Sequence, residues 1–260
     1  MRLDVLLFEK GFAESRTRAA DMIRGGHVSV DGRNVQKPSY DADDSCEISV
    51  SHDTLKYVSR AALKLLAAKE NWKIDFKGLT CVDLGASTGG FCEVMLESGA
   101  AKVYAVDIGH GQLHKRILSD SRVKSFEGVN ARNVSPAMFG GPADAVTCDL
   151  SFISQTLVLQ AVSRITKDGG IYVGLIKPQF ESRREDIGKG GIVKDARVRA
   201  QAVERVISCA NTYGLVCMGV IPSPIAGGDG NLEYLAAYTK RQHAGIIPDR
   251  RQIDEIVGQK

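Results

Sequence analysis

Two regimes of hydrophobic spacing divide the 260 residues. Up to about Val50 the apolar positions come in short clusters. Leu3, Leu6 and Leu7 fall on one face of a first helix that Gly11 stops; Ala19, Ala20 and Ile23 form the inward face of a second, capped by Ser15 and ended by Gly25-Gly26. Val28 and Val30 then alternate before Asp31-Gly32, a dipeptide that supplies the positive φ angles of a tight hairpin, and CEISV is a further strand. From about Ser59 the pattern becomes helix and strand in turn. Seven apolar runs (LTCVDLG, KVYAVD, VKSFEG, ADAVTCD, GIYVGLIK, LVCMGVI and LEYLAAY) predict strands, separated by helical stretches that begin with RAALKLLAAKE, for which Ser59 is the predicted cap. Such alternation predicts an α/β domain with a largely parallel sheet covered on both faces. The expected organisation is a small α+β domain over residues 1–54, a linker at 55–58, the α/β domain over 59–240 and a polar tail, or short closing helix, at 241–260.

Composition narrows the class of partner only a little. Lys and Arg number 34 against 31 Asp and Glu, a net charge of +3, so any surface for an anionic partner must be local. Over Met1–Lys37 there are seven Lys and Arg against five Asp and Glu, and Arg16, Arg18 and Arg24 share the second helix. The six cysteines form no C-x-x-C pair and have no His cluster beside them, which argues against zinc and for reduced thiols in a cytoplasmic protein. No secretion signal is visible at the N-terminus, and no apolar run approaches the roughly 18 residues a membrane span needs.

The sharpest local signal is CVDLGASTGGF, a strand followed by a tight loop and then Gly89-Gly90 opening a helix, the pattern of a nucleotide-cofactor turn. Against G-x-G-x-x-G, Gly85 and Gly90 match the first and third positions, but Ser87 replaces the glycine that lets backbone approach a pyrophosphate. That departure favours S-adenosylmethionine, which has no pyrophosphate, over NAD. Asp83 is then a candidate for the methionine ammonium, and Asp107, ending KVYAVD, for the two ribose hydroxyls. Asn130 and Arg132 in NARNV and Phe152 in CDLSFIS fall on the same carboxyl edge of the sheet. Asn130 is a candidate cofactor ligand, Arg132 an RNA contact, and Phe152 a surface for the cofactor or a nucleobase.

Four ionisable residues stand at the ends of these elements: Lys64 in an apolar helix, Asp149 after the fourth strand, Lys177 ending an apolar strand, and Glu233 before LAAY. In that order they resemble the Lys-Asp-Lys-Glu tetrad of the FtsJ-like ribose 2′-O-methyltransferases. VSRAALKL, DLGASTGGF, DIGHGQL, CDLSFIS, IKPQFE and GNLEYL together resemble the TlyA family, also known as haemolysin A, and the N-terminal pattern is similar to the small RNA-binding domain of a small-subunit ribosomal protein. The resemblance implies a Rossmann-like seven-stranded methyltransferase sheet preceded by a small α+β RNA-binding domain. It also implies methylation of a cytidine 2′-hydroxyl in ribosomal RNA or a ribosomal subunit, with Lys64, Asp149, Lys177 and Glu233 catalytic and Arg16, Arg18, Arg24 and Arg60 meeting RNA. Where relatives read R-G-A-H-K-L this chain has Arg60-Ala61-Ala62-Leu63-Lys64-Leu65. A sulfonium methyl is already electrophilic, so the residues need only place the hydroxyl in line and manage its proton, without a metal. Lys177 either removes that proton or, kept charged, orients the hydroxyl and stabilises the developing oxyanion. Two other readings are a non-catalytic RNA-binding or ribosome-assembly factor and a membrane-active haemolysin. The retained tetrad argues against the first and the lack of a spanning segment against the second.

Overall fold

The computed structural model describes residues 1–13, 15–50, 57–227, 230–241 and 250–258. Linker positions 55 and 56 and tail positions 242–249 and 259–260 lie outside the described residues. The chain divides into two units, Met1–Arg60 and Ala61–Lys260.

In the first unit, α1 (Leu3–Glu9) and α2 (Arg16–Arg24) pack against a three-stranded antiparallel sheet of β1 (Val28–Val30), β2 (Arg33–Asn34) and β3 (Ile48–Val50), with β1 central. The Ser15 hydroxyl accepts the Arg18 N–H at 3.1 Å and caps α2. Asp31 and Gly32 both take positive φ, 50° and 75°, so the hairpin turns in two residues and pairs Val30 with Arg33. Leu3, Leu6, Leu7, Ile23 and Val28 are at most 1 % exposed. Each such side chain contributes roughly 1.5–3 kcal/mol on burial, enough for a shared core in so small a unit.

The second unit runs α3 (Ala61–Trp72), β4 (Thr80–Leu84), α4 (Gly90–Glu97), β5 (Lys102–Val106), α5 (Lys115–Leu118), β6 (Val123–Phe126), β7 (Ala143–Cys148), α6 (Leu159–Ile165), β8 (Thr166–Ile176), α7 (Pro178–Glu181), α8 (Ala196–Thr212), β9 (Leu215–Pro222), β10 (Tyr234–Lys240) and α9 (Arg250–Gly258). All seven expected strands form one sheet, ordered β6-β5-β4-β7-β8-β10-β9. The pairs β4–β5, β5–β6, β4–β7 and β7–β8 are parallel, and β10 lies antiparallel between β8 and β9. β4 and β7 are nearly all buried, which is why they read as continuous apolar runs. The strand order reverses between β4 and β7, and open α/β sheets bind ligands outside the carboxyl ends of their strands at that switch.

One local expectation changes, and of the two forms expected for the C-terminal segment the short closing helix is observed. α3 begins at Ala61, so the position that would cap it is held by Arg60 rather than Ser59, and a guanidinium has no acceptor to offer the helix N–H groups. The polar segment after 240 is not all tail: in α9, Ile253 and Val257 are at most 1 % exposed within the main core, and Arg250 meets Glu204 of α8 at 2.8 Å. Five exposed positions out of nine in α9 hide this amphipathic stripe from an average over composition.

Candidate active site

The turn after β4 explains the glycines and the missing one. Gly85, at φ 82°, sits where an added Cβ would lie 2.6 Å from the Asp149 carbonyl oxygen, so its bareness lets the ends of β4 and β7 close on each other. Gly89, at φ 96°, likewise admits Leu113 and Ile117. Ser87 adopts φ 46°, a glycine-like conformation, and donates its N–H to Asp107 Oδ2 at 2.8 Å. The amide that a dinucleotide turn would offer a phosphate is thus engaged by a carboxylate. Asp107 Oδ1 accepts the Gly109 N–H at 2.8 Å, and each oxygen keeps a further lone pair for a ligand hydroxyl.

Beside this turn opens a cavity of about 420 Å³, lined by Gly85, Ser87, Asp107, Gln112, Asn130 and Phe152 among others. The fit to S-adenosylmethionine is good on two observations: an acceptor-only carboxylate at the nucleoside end, and a turn whose Ser87 amide is already taken by that carboxylate. Asn130 caps a 3-10 turn, Ala131–Asn133, through its Oδ1, while exposed Arg132 folds back on it at 3.4 Å. Gly90 is the first residue of α4.

Asp83, expected to receive the methionine ammonium directly or through water, stands behind the cavity wall. It is 1 % exposed and absent from the cavity wall; Thr147 Oγ1 donates to its Oδ1 at 2.7 Å and Cys92 Sγ to its Oδ2 at 3.2 Å. Burial pushes its carboxyl up to about 6, against those two hydrogen bonds.

The four tetrad positions, far apart in sequence, form one alternating chain of charge. Lys64 Nζ lies 2.8 Å from Glu233 Oε2 and 3.4 Å from Asp149 Oδ2, and Lys177 Nζ lies 2.6 Å from Asp149 Oδ1. All four side chains are 15 % exposed or less. Burial alone would lower the Lys64 ammonium, but the Asp149 and Glu233 carboxylates outweigh it and hold the group above the usual lysine value. Burial would likewise raise Asp149, but the Lys177 and Lys64 ammoniums hold it below the usual carboxylate range.

Asp149 also lines this cavity, so the charge chain meets the cavity at this residue. The neighbouring Ser151 does too, and its Oγ accepts from Lys177 Nζ at 3.0 Å. Gln179 Nε2 reaches Glu233 Oε1 at 3.5 Å. Sequence reasoning misses Ser151 and Gln179; their only signal is that they stand two residues from Asp149 and Lys177. Phe152 is 91 % exposed, holds φ 64°, and its ring lies 5.3 Å from Phe180 in a tilted pair. A large side chain kept in the left-handed region at a cavity mouth is a strained arrangement of the kind found at functional sites.

In the first unit, Arg16 and Arg24 lie 3.8 Å from Asp4 and Asp21. Arg18 instead donates to the Tyr57 carbonyl at 2.9 Å, so part of its role is to hold the end of the linker. Arg60 is half-buried. Among the described residues no helix is long and apolar enough to cross a membrane.

Comparison with known proteins agrees with this geometry. The FtsJ-like methyltransferase family matches residues 57–240 and the S4 domain residues 1–45. The chain is 42 % identical to the 16S/23S rRNA (cytidine-2′-O)-methyltransferase TlyA of Mycobacterium tuberculosis, over 90 % of this chain and 87 % of that one. It is 40 % identical to Hemolysin A of Brachyspira hyodysenteriae, over 92 % and 99 %. A solved structure from Streptococcus thermophilus that carries a hemolysin designation superposes with a TM-score of 0.80 at 39 % identity, covering 99 % of this chain and 94 % of that one. With an S4 domain ahead of a methyltransferase sheet and the charge chain in place at the switch point, the chain belongs to the TlyA family of FtsJ-like rRNA methyltransferases.

Proposed function

We propose that this protein transfers a methyl group from S-adenosylmethionine to the 2′-hydroxyl of a cytidine in ribosomal RNA. The observation that carries the proposal is the Glu233–Lys64–Asp149–Lys177 chain meeting the cofactor cavity at Asp149. Asp107 would hold the ribose of the cofactor, and the Gly85–Gly90 turn its methionine part, with Asp83 behind the turn as a buried negative charge. When bound, the sulfonium supplies a methyl that needs no further activation. The protein's share is to present the hydroxyl in line and to accommodate the charge that grows on its oxygen.

Lys177 is the group that meets this oxygen. Its Nζ is fixed by Asp149 and Ser151, and Asp149 is in turn fixed by Lys64, which is fixed by Glu233. The far members act by holding the near ones, so a positive Nζ is preorganised where negative charge develops, and its cost is met before substrate binds. With Nζ charged it cannot take the proton, which leaves the hydroxyl late, to water. Phe152, exposed at the mouth, offers its face to the target base. The S4 domain contributes phosphate contacts through Arg16 and Arg24, which fix orientation but carry little sequence information.

The test is methyl transfer from labelled S-adenosylmethionine to ribosomal subunits, followed by mapping of the modified ribose. Label on a base, or no label in rRNA with a folded, cofactor-binding protein, would overturn the proposal and favour an assembly factor without catalysis.

A further inference from the structure

The segment between Asp149 and α6 carries Ser151 and Phe152 of the cavity wall, and its first end is held by the sheet through the Asp149 N–H to the Leu84 carbonyl at 3.1 Å. Its other end is held by a residue with no place in the charge chain. Glu181, the last residue of α7, is 4 % exposed; its Oε1 accepts the Gln155 N–H at 2.6 Å and its Oε2 the Ser154 hydroxyl at 2.5 Å. Gln155 Nε2 continues the tie to the Leu175 carbonyl at 2.5 Å, just before Lys177.

We propose that Glu181 is a positioning residue for methyl transfer, clamping the Leu150–Ser154 segment to α7 so that Ser151 and Phe152 stay registered with Lys177 and Phe180. Lys177 immediately precedes α7 and Phe180 lies within it. The Lys177–Ser151 hydrogen bond and the Phe152–Phe180 ring pair both cross the gap that Glu181 spans. The inference rests on reading the Lys64–Asp149–Lys177–Glu233 chain as the transfer site.

Two features say that the clamp does more than fill space. Among the described residues Glu181 forms no ion pair, and burial pushes its carboxyl above the usual range against its two hydrogen bonds and the Arg205 charge. A buried, unpaired carboxylate is an expensive way to join a loop to a helix unless position is what it secures. Phe152, moreover, holds a positive φ that a free loop would relax, so some contact must over-determine the segment. A carboxylate suits the task because it accepts from a hydroxyl and a backbone amide at once.

The experiment compares full-length wild type with Glu181→Ala, Glu181→Gln and the milder Ser154→Ala. Amide exchange of the 150–157 segment in the absence of RNA should quicken by about tenfold or more in Glu181→Ala. It should stay within about threefold of wild type in Glu181→Gln, whose amide keeps an acceptor for Gln155 and turns a donor to Ser154. Single-turnover methylation at saturating cofactor and rRNA should fall about 10- to 100-fold in Glu181→Ala, with Ser154→Ala between, while calorimetric cofactor affinity stays within about threefold. Unchanged exchange, an unchanged single-turnover rate, or a loss of rate that tracks cofactor affinity would overturn the proposal. Exchange reads the clamp whatever the wild type does, so absence of rRNA methylation by the wild type is a separate result, against the functional reading itself.

Discussion

Lys64 and Glu233, 169 positions apart, meet at 2.8 Å in a nearly dry contact, and through it α3 and the start of β10 set where Asp149 and Lys177 stand. If the four act as one unit, Lys177→Ala should lower the single-turnover rate by about 10²–10⁴-fold and leave cofactor affinity nearly unchanged. Lys64→Ala and Glu233→Ala should each cost less than that, and the double variant should cost less than the sum of the two in free energy. Additive losses would show that Glu233 works separately from Lys64.

Gly85 should be intolerant of the smallest side chain. An added methyl would meet the Asp149 carbonyl at 2.6 Å from a backbone already at φ 82°, so Gly85→Ala should destabilise the second unit by about 1–3 kcal/mol and weaken cofactor binding together with transfer. The single tryptophan, Trp72, lies in α3, so its fluorescence in a denaturant titration reports this unit directly. Gly111→Ala, at a positive-φ position with open space around it, is the control.

Asp83 makes a pH-dependent prediction of definite sign. Its folded carboxyl is pushed up to about 6, above the unfolded value of about 3.9, so between these limits the folded chain holds a proton that the unfolded chain has lost. Stability from this group therefore falls as pH rises through about 4 to 6, by about 3 kcal/mol in all. Asp83→Asn escapes that loss: relative to wild type it should gain stability between pH 4 and pH 7, while cofactor affinity falls only a few-fold because the side chain stands behind the cavity wall. Denaturation at the two pH values, with calorimetry at pH 7, checks both halves. A pH-independent difference would show that burial does not shift this carboxyl.

On the S4 domain, the ion pairs of Arg16 and Arg24 among the described residues are long, partly exposed and of little worth, which leaves both guanidiniums available to phosphates. Replacing both by Ala should weaken binding to ribosomal RNA and reduce the slope of log affinity against log salt by roughly 0.7–0.9 for each phosphate no longer neutralised. Arg18→Ala should behave differently, because its guanidinium holds the Tyr57 carbonyl: lower thermal stability of the first unit should accompany any drop in RNA affinity. Filter binding across a salt series, with melting curves, separates the two effects.

Much of this protein is written locally. Strands buried on both faces have to be apolar throughout, so β4 and β7 are legible as runs; the hairpin at Asp31-Gly32 and the cap at Ser15 depend on neighbours within a few residues. The tetrad is legible for a related reason, since lysines such as Lys64 and Lys177 inside apolar segments need partners if they are to be buried. What pairs with what is not local. The insertion of β10 between β8 and β9, the tie of Glu181 to Ser154 and Gln155, the hydrogen bonds of Thr147 and Cys92 to Asp83, and the docking of α9 by Ile253 and Val257 all join residues that spacing does not relate. The sequence by itself determined which segments must be buried and which charges needed company. Only the tertiary structure decided the company, because hydrogen bonds and ion pairs are satisfied by whichever groups the packing of the sheet and its helices brings within about 3 Å.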